Sequence, residues 1–208
     1  MNGKMKNIIV RRLCKSGKTF EIVGNSLFKG KSNYTSNRLP TTIEVTDGNI
    51  CYKMYQSNAF FCTLICLLMP FLYSEAIFPF TIKKAEQKIG YSESFKGDSA
   101  KYIHIGNNFY ELRSHADNVV SLMENNIQIA LFKKSICTYS EQNQYTVYYR
   151  DTDKSKEIIF LLICIYIDSC MLMNIDTKWS MIKYEKIHLI ENDDFKERAE
   201  WTPENDNC

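Results

Sequence analysis

Three stretches of the chain carry residue types in an order that invites chemistry. Gly24-Asn25-Ser26-Leu27-Phe28-Lys29-Gly30-Lys31-Ser32 has the look of a loop whose consecutive amides wrap a phosphate. Such a loop needs four residues between its glycines and a helix N-terminus behind it. Here five intervene, and Asn33 to Pro40 is rich in turn formers, so a lysine-rich hairpin is the better reading. Asp151-Thr152-Asp153-Lys154-Ser155 opens like a calcium loop. Position six is Lys156 instead of glycine and position twelve is Leu162 instead of a bidentate glutamate, so a turn and a helix cap fit instead. Cys62 and Cys66 lack a neighbouring histidine or a second cysteine pair, and no zinc site is expected.

Nucleophilic catalysis has no better support. The histidines are His104 in an alternating strand, His115 in the turn Ser114-His115-Ala116-Asp117, and His188 near the C-terminus. No serine or cysteine is presented on a sharp strand-to-helix turn beside them. The chain is therefore read as a non-enzyme that needs no cofactor.

Charge is distributed unevenly. Residues 1–39 hold nine basic side chains against the single acid Glu21, whereas residues 174–208 hold nine acids against five bases. Residues 1–17 read as a basic arm, and 174–208 as an extension ending in an acidic tail that screens the arm. Only Phe20 and Phe28 are aromatic before Tyr34, so the arm offers no base-stacking platform and no nucleic-acid partner is expected. A leader peptide needs an apolar run of about seven to fifteen residues. The start offers only Ile8-Ile9-Val10, so the chain is expected in the reducing cytoplasm, with free thiols. Cys51, Cys62, Cys66, Cys164 and Cys170 sit among apolar neighbours and read as small hydrophobes.

The elements that must position any site are mostly strands. From Thr19 to Arg150 short alternating segments are separated by turn residues: Ile43 and Val45, then Asp47-Gly48-Asn49; Tyr52 and Met54; Phe80 and Ile82; Ile89 and Tyr91. Further on come Tyr102 to Ile105 before Gly106-Asn107-Asn108, Phe109 to Arg113, Val119 to Met123, Ile127 to Phe132 and Tyr145 to Arg150. Eleven or twelve strands at this spacing point to a barrel or sandwich, and a barrel has no exposed edge. Two apolar stretches break the rhythm. Residues 59–73 form a run interrupted by Pro70. Ile158 to Ile167 is apolar on every side and is preceded by Asp153 and Ser155, which are suited to cap a helix. A membrane span needs about 20 apolar residues. The second stretch stops after ten at Asp168 and reads as a core helix; only 59–80 approaches the length of an anchor.

This order, many hairpins and then one wholly apolar helix, resembles the tubby C-terminal-like superfamily, which includes the phospholipid scramblases and the LURP-one-related proteins. The likeness rests on Ile43 to Ile50, Phe80 to Lys84 with Ile89-Gly90, Tyr110-Glu111-Leu112 and Asn126 to Ala130. It rests above all on Leu161 to Ile167 ending in Asp168. The resemblance implies a mainly β fold, a closed antiparallel barrel of about twelve strands enclosing the hydrophobic helix. The barrel spans residues 18–173, with an apolar insertion at about 57–77 and the central helix at about 156–173. Such an all-apolar helix would fill the lumen of a barrel too wide for side chains alone. Tubby domains bind phosphoinositide headgroups through surface lysines and arginines. The resemblance thus implies an anionic-lipid partner and a place peripheral to the membrane, but it does not map the site onto residues. The pairs Lys83-Lys84 and Lys133-Lys134 at strand ends are the candidate ligands, with solubilising edge lysines as the other reading, and a monomer is expected. The alternatives are a membrane anchor at 59–80, or a cytosolic scaffold for a protein partner.

Overall fold

A period of two in apolar residues puts every second side chain on one face of a strand, and a sheet with one apolar face must cover it. The chain covers that face by closing the sheet on itself. The computed structural model describes residues 5–13, 18–23, 25–33, 42–56, 79–94, 101–115, 119–136 and 143–171. It shows twelve strands: β1 (Met5–Arg12), β2 (Lys18–Ile22), β3 (Asn25–Ser32), β4 (Thr42–Thr46), β5 (Cys51–Gln56), β6 (Phe80–Lys84), β7 (Gln87–Ser94), β8 (Lys101–Ile105), β9 (Asn108–His115), β10 (Val119–Glu124), β11 (Ile127–Ile136) and β12 (Asn143–Arg150). Each pairs antiparallel with its neighbours in sequence, and β1 pairs with both β2 and β12 to close the barrel.

That closure corrects the reading of residues 1–17 as an arm. Met5–Arg12 is a barrel strand, with Met5 opposite Arg150 and Arg11 opposite Gln144. Val10 points into the core with no exposure, so Ile8-Ile9-Val10 is wall rather than tail.

Chain direction gives the barrel two unlike ends. Short turns join β2–β3, β4–β5, β6–β7, β8–β9 and β10–β11 at one end, here the hairpin end. At Asp47 the side-chain Oδ1 accepts from the amides of Asn49 and Ile50, at 3.0 and 2.8 Å, and Gly48 takes φ 93°. These two backbone hydrogen bonds, led by that from Ile50, hold the Asp47 carboxyl below its ordinary range. The connections β1–β2, β3–β4, β5–β6, β7–β8, β9–β10 and β11–β12 belong to the opposite end, and all but β9–β10 are longer than these turns.

From Arg150 the chain makes a 3₁₀ turn (Asp151–Lys156), then α1 (Glu157–Tyr166), and finishes in a π-helical turn (Ile167–Met171). Asp153 and Ser155 do not cap α1. The 3₁₀ turn leads straight into it, Lys156 occupies the cap position without a side-chain capping bond, and Asp153 instead pairs with Lys156 at 3.3 Å. Glu157 lies in the first turn, where the helix dipole favours an acid, and its Oε1 accepts from the Tyr149 hydroxyl.

Phe160 through Ile167 are at most 1% exposed, a burial possible all round the helix only inside the barrel. The helix and the wall form one core with Phe20, Ile43, Met54, Ile82, Leu112, Phe132 and Val147. Gly30 shows how close they come: a Cβ there would lie 2.2 Å from Cδ1 of Ile165. The glycine read as half of an anion loop is therefore a packing residue. Phe80 meets Tyr166 edge-on at 5.5 Å, and Tyr149 leans on Phe160 at 5.4 Å.

The wall departs from simple alternation at three register shifts, one of them between Glu21 and Ile22 opposite β3. Another lies between Ile82 and Lys83 opposite β7, and there Gly90 and Ser92 face inward while Tyr91 faces out. The third lies at Leu122–Met123. On β10 and β11 the outer side is buried as well: Val119 and Leu131 pack with Met5 and Tyr148 outside the main core. Cys164 is buried as expected, whereas Cys51 is exposed at the hairpin end. Among the described residues no helix is long and apolar enough to cross a membrane. The stretch 59–73, the C-terminal extension and the acidic tail lie outside the described residues.

Candidate functional site

The four lysines singled out from sequence do not converge. β6 and β11 stand on nearly opposite sides of the barrel, and within each pair the two lysines take opposite faces. Lys83 points out from the wall. Lys84, on the parity of Ile82, ends at the open rim of the hairpin end, its ammonium 5.6 Å from the centre of the Tyr52 ring. Lys133 is exposed on the outer side of β11.

Lys134 is the correction. Its side chain is 0% exposed and points into the lumen toward Asp168, 3.9 Å away, so it is not a surface ligand for a headgroup. Asp168 also faces Arg12 at 3.7 Å, and its Oδ1 accepts from the Tyr145 hydroxyl at 2.6 Å. Beside it the hydroxyls of Ser169 and Ser32 are 3.2 Å apart. Desolvation lowers the Lys134 pKa against the opposing pull of Asp168, and the same burial, reinforced by Asp168, pushes the Tyr145 hydroxyl well up. The cluster ties β1, β11 and β12 to the end of the helix. It fixes how deep the helix sits, because Asp168 finds this donor set at one level of the lumen only.

A group with surface chemistry does assemble, on the outer wall of β3 to β7. The register aligns Lys31, Glu44, Lys53, Lys83 and Lys88 as successive cross-strand partners on five adjacent strands. Glu44 bonds Lys31 at 2.7 Å and Lys53 at 3.1 Å. The Lys31 hydrogen bond, supplemented by Lys53, holds the Glu44 carboxyl below its usual range, and Glu44 in turn raises Lys31. Beyond Lys53 the row turns to like charge, with Lys83 opposite both Lys53 and Lys88. Like charges directly opposite on neighbouring strands are destabilising. Glu86 offsets part of this at 3.8 Å from Lys83, and among the described residues no carboxylate comes within ion-pair distance of Lys88.

An open hollow of about 410 Å³ lies over this row, lined by Thr42, Lys53, Tyr55, Lys83, Ala85 and Glu86. Tyr55 offers its ring to the Lys83 ammonium at 5.6 Å. Ala85, in the β6–β7 turn, has φ 51°, a left-handed conformation that costs a residue with a Cβ about 1–2 kcal/mol. The amide of Ala85 donates to the Cys51 carbonyl at 2.7 Å, which holds this turn against β5.

No protein-family model, curated protein or solved structure matches the chain. The geometry alone has to carry the function.

Among the other sequence candidates, Gly30 to Ser32 lie within β3, as a lysine-rich hairpin requires. Asp151 to Lys156 is the 3₁₀ turn before α1. Among the described residues no group of three or more His, Cys, Asp or Glu side chains is arranged to hold a metal. The Cys164 thiol is pushed well above its ordinary pKa by burial and then by Asp168, which keeps it protonated and unreactive. Cys62, Cys66 and His188 lie outside the described residues. Lys53 and Lys88 were not singled out from sequence, because each is the one lysine of its strand, and Lys31 was read only as part of a lysine-rich hairpin. Their one signal is strand parity, and it becomes a site only once the register is known.

Proposed function

We propose that this chain is a non-enzymatic, tubby-like barrel module that binds anionic lipid headgroups on its outer wall, peripheral to a cytoplasmic membrane surface. One observation carries the reading: Lys53, Lys83 and Lys88 are successive cross-strand neighbours of like charge, and Lys53 and Lys83 line an open hollow, an arrangement that a bound anion would stabilise. The filled lumen leaves the outside as the binding surface, and the resemblance of the hairpin order and the Asp-terminated helix points to the same ligand class. An apolar lumen and a charged outer wall are the reverse of a barrel that spans lipid.

Co-sedimentation with vesicles of neutral lipid, with and without phosphatidylserine, tests this. Binding is expected only with the anionic lipid and should weaken as salt shortens the Debye length. The double variant Lys53→Glu/Lys83→Glu should abolish it, because each lysine near the surface contributes about 1 kcal/mol. Anionic vesicles that fail to pull down the wild type at low salt, or that pull down both proteins equally, would remove the headgroup reading.

A further inference from the structure

A second row runs beside the lysines on the same wall. Tyr55, Thr81, Tyr91, His104 and Phe109 are successive cross-strand partners on β5 to β9. On β5 and β6 they stand two residues further from the hairpin end than Lys53 and Lys83. The two rows are therefore about 7 Å apart. Tyr91, in the middle of β7, and Phe109, at the start of β9, are each 37% exposed. Lys88 lies 5.9 Å from the centre of the Tyr91 ring. A strip of ammonium groups is thus flanked by a strip of rings.

We infer that this wall docks flat on an anionic bilayer, with Lys53, Lys83 and Lys88 on the phosphates and with Tyr91 and Phe109 entering the headgroup layer. The inference rests on the headgroup reading and adds the docking face, the orientation and the inserting residues. The Tyr91 ring, with an apolar body and a polar tip, belongs at that depth, Phe109 adds apolar area to it, and lysines reach back from it to the phosphates. Ring orientation separates a bilayer from the other polyanion a basic and aromatic wall could take, single-stranded nucleic acid. Base stacking needs a free ring face. Tyr91 already stacks on His104 at 4.5 Å with 10° between planes, and Phe109 stacks on Tyr102 at 5.4 Å and meets His104 edge-on at 5.0 Å. These contacts, together with the Lys88 ammonium over Tyr91, occupy ring faces that stacked bases would need. With both rows engaged, the barrel axis lies along the membrane and neither end faces it.

Phe109→Trp in a Trp179→Phe/Trp201→Phe background supplies a reporter on the wall. With anionic vesicles its emission should shift to the blue, and lipids brominated near the top of the acyl chain should quench it more than lipids brominated near the chain end. Separately, Tyr91→Ala/Phe109→Ala should lower vesicle affinity by about tenfold at physiological salt, since two partly exposed rings supply the salt-insensitive share. A circular-dichroism melt of that variant checks that the barrel is intact, and Tyr91→Leu/Phe109→Leu repeats the test if it is not. Lysine-dependent sedimentation without quenching, or with unchanged affinity in the ring variants, overturns the docking face and leaves the headgroup reading standing. Loss of anionic-vesicle binding by the wild type overturns both. Tighter binding to a labelled oligothymidylate than to vesicles, abolished by Tyr91→Ala, overturns the bilayer in favour of a nucleic acid strand.

Discussion

The dipeptide Lys-Lys occurs at 83–84 on β6 and at 133–134 on β11, and the two copies end in opposite surroundings. Lys83 stands on the outer wall in a row of like charge, its side chain about one-third exposed. Lys134 is sealed in the lumen against Asp168 and beside Arg12. Lys84 and Lys133 take the remaining places, the rim and the outer side of β11. What distinguishes the pairs is the parity of each strand and what the chain returns to the lumen opposite it. At the hairpin end the carboxylate of Glu124 is already paired with Lys156. At the other end α1 arrives with a carboxylate, and a buried lysine is tolerated only there. The same residue is a latch in one place and a ligand candidate in the other.

Charge reversal separates the two roles most sharply. Lys134→Glu sets a second carboxylate beside Asp168 where water cannot screen it. The expected cost exceeds about 5 kcal/mol, comparable to the whole stability of many domains. The purified protein should lack a cooperative near-ultraviolet melt. Lys83→Glu should leave the melting temperature almost unchanged or slightly higher, a change within about 0.5 kcal/mol, because it relieves the like-charge contacts to Lys53 and Lys88. Equal melting temperatures for the two variants would show that Lys134 is not enclosed.

Removing the latch itself comes next. Asp168→Ala leaves Arg12 and Lys134 without their lumen carboxylate and deprives the Tyr145 hydroxyl of its acceptor. A loss of about 3–5 kcal/mol is expected in urea titration. A loss below 1 kcal/mol would mean that apolar packing alone fixes the depth of the helix. A gain rather than a loss is expected at the turn on the outer wall. Ala85→Gly relieves the left-handed φ in the turn over the hollow and should stabilise by about 1 kcal/mol. If stability falls instead, the turn is held by its side chain rather than strained by it.

The barrel was legible because alternation is local. Ile43 with Val45, Phe80 with Ile82, and Tyr110 with Leu112 each declare an inner face within a few residues, and Ile158 to Ile167 declares a helix without a polar side. β1 was missed because its alternation is weak: Ile8, Ile9 and Val10 are consecutive, and the basic residues around them dominate the composition. Tyr91 was read as part of an alternating pair with Ile89, but the bulge opposite Lys83 turns Gly90 and Ser92 inward. Gly90 is itself a product of that geometry, since a Cβ there would lie 1.9 Å from the carbonyl oxygen of His104.

By itself the sequence determined the elements: strands from a period of two, turns from Asp47-Gly48 and Gly106, and a buried helix from ten apolar residues ended by Asp168. Each of these follows from interactions between residues close in the chain. Only the tertiary structure decided which lysines stand together, which one is buried, and that Arg12 from the first strand meets Asp168 from the last helix. Those are questions of register and closure. In a barrel, the register of every strand depends on the bulges and pairings of all the others, and no short stretch of sequence contains that information.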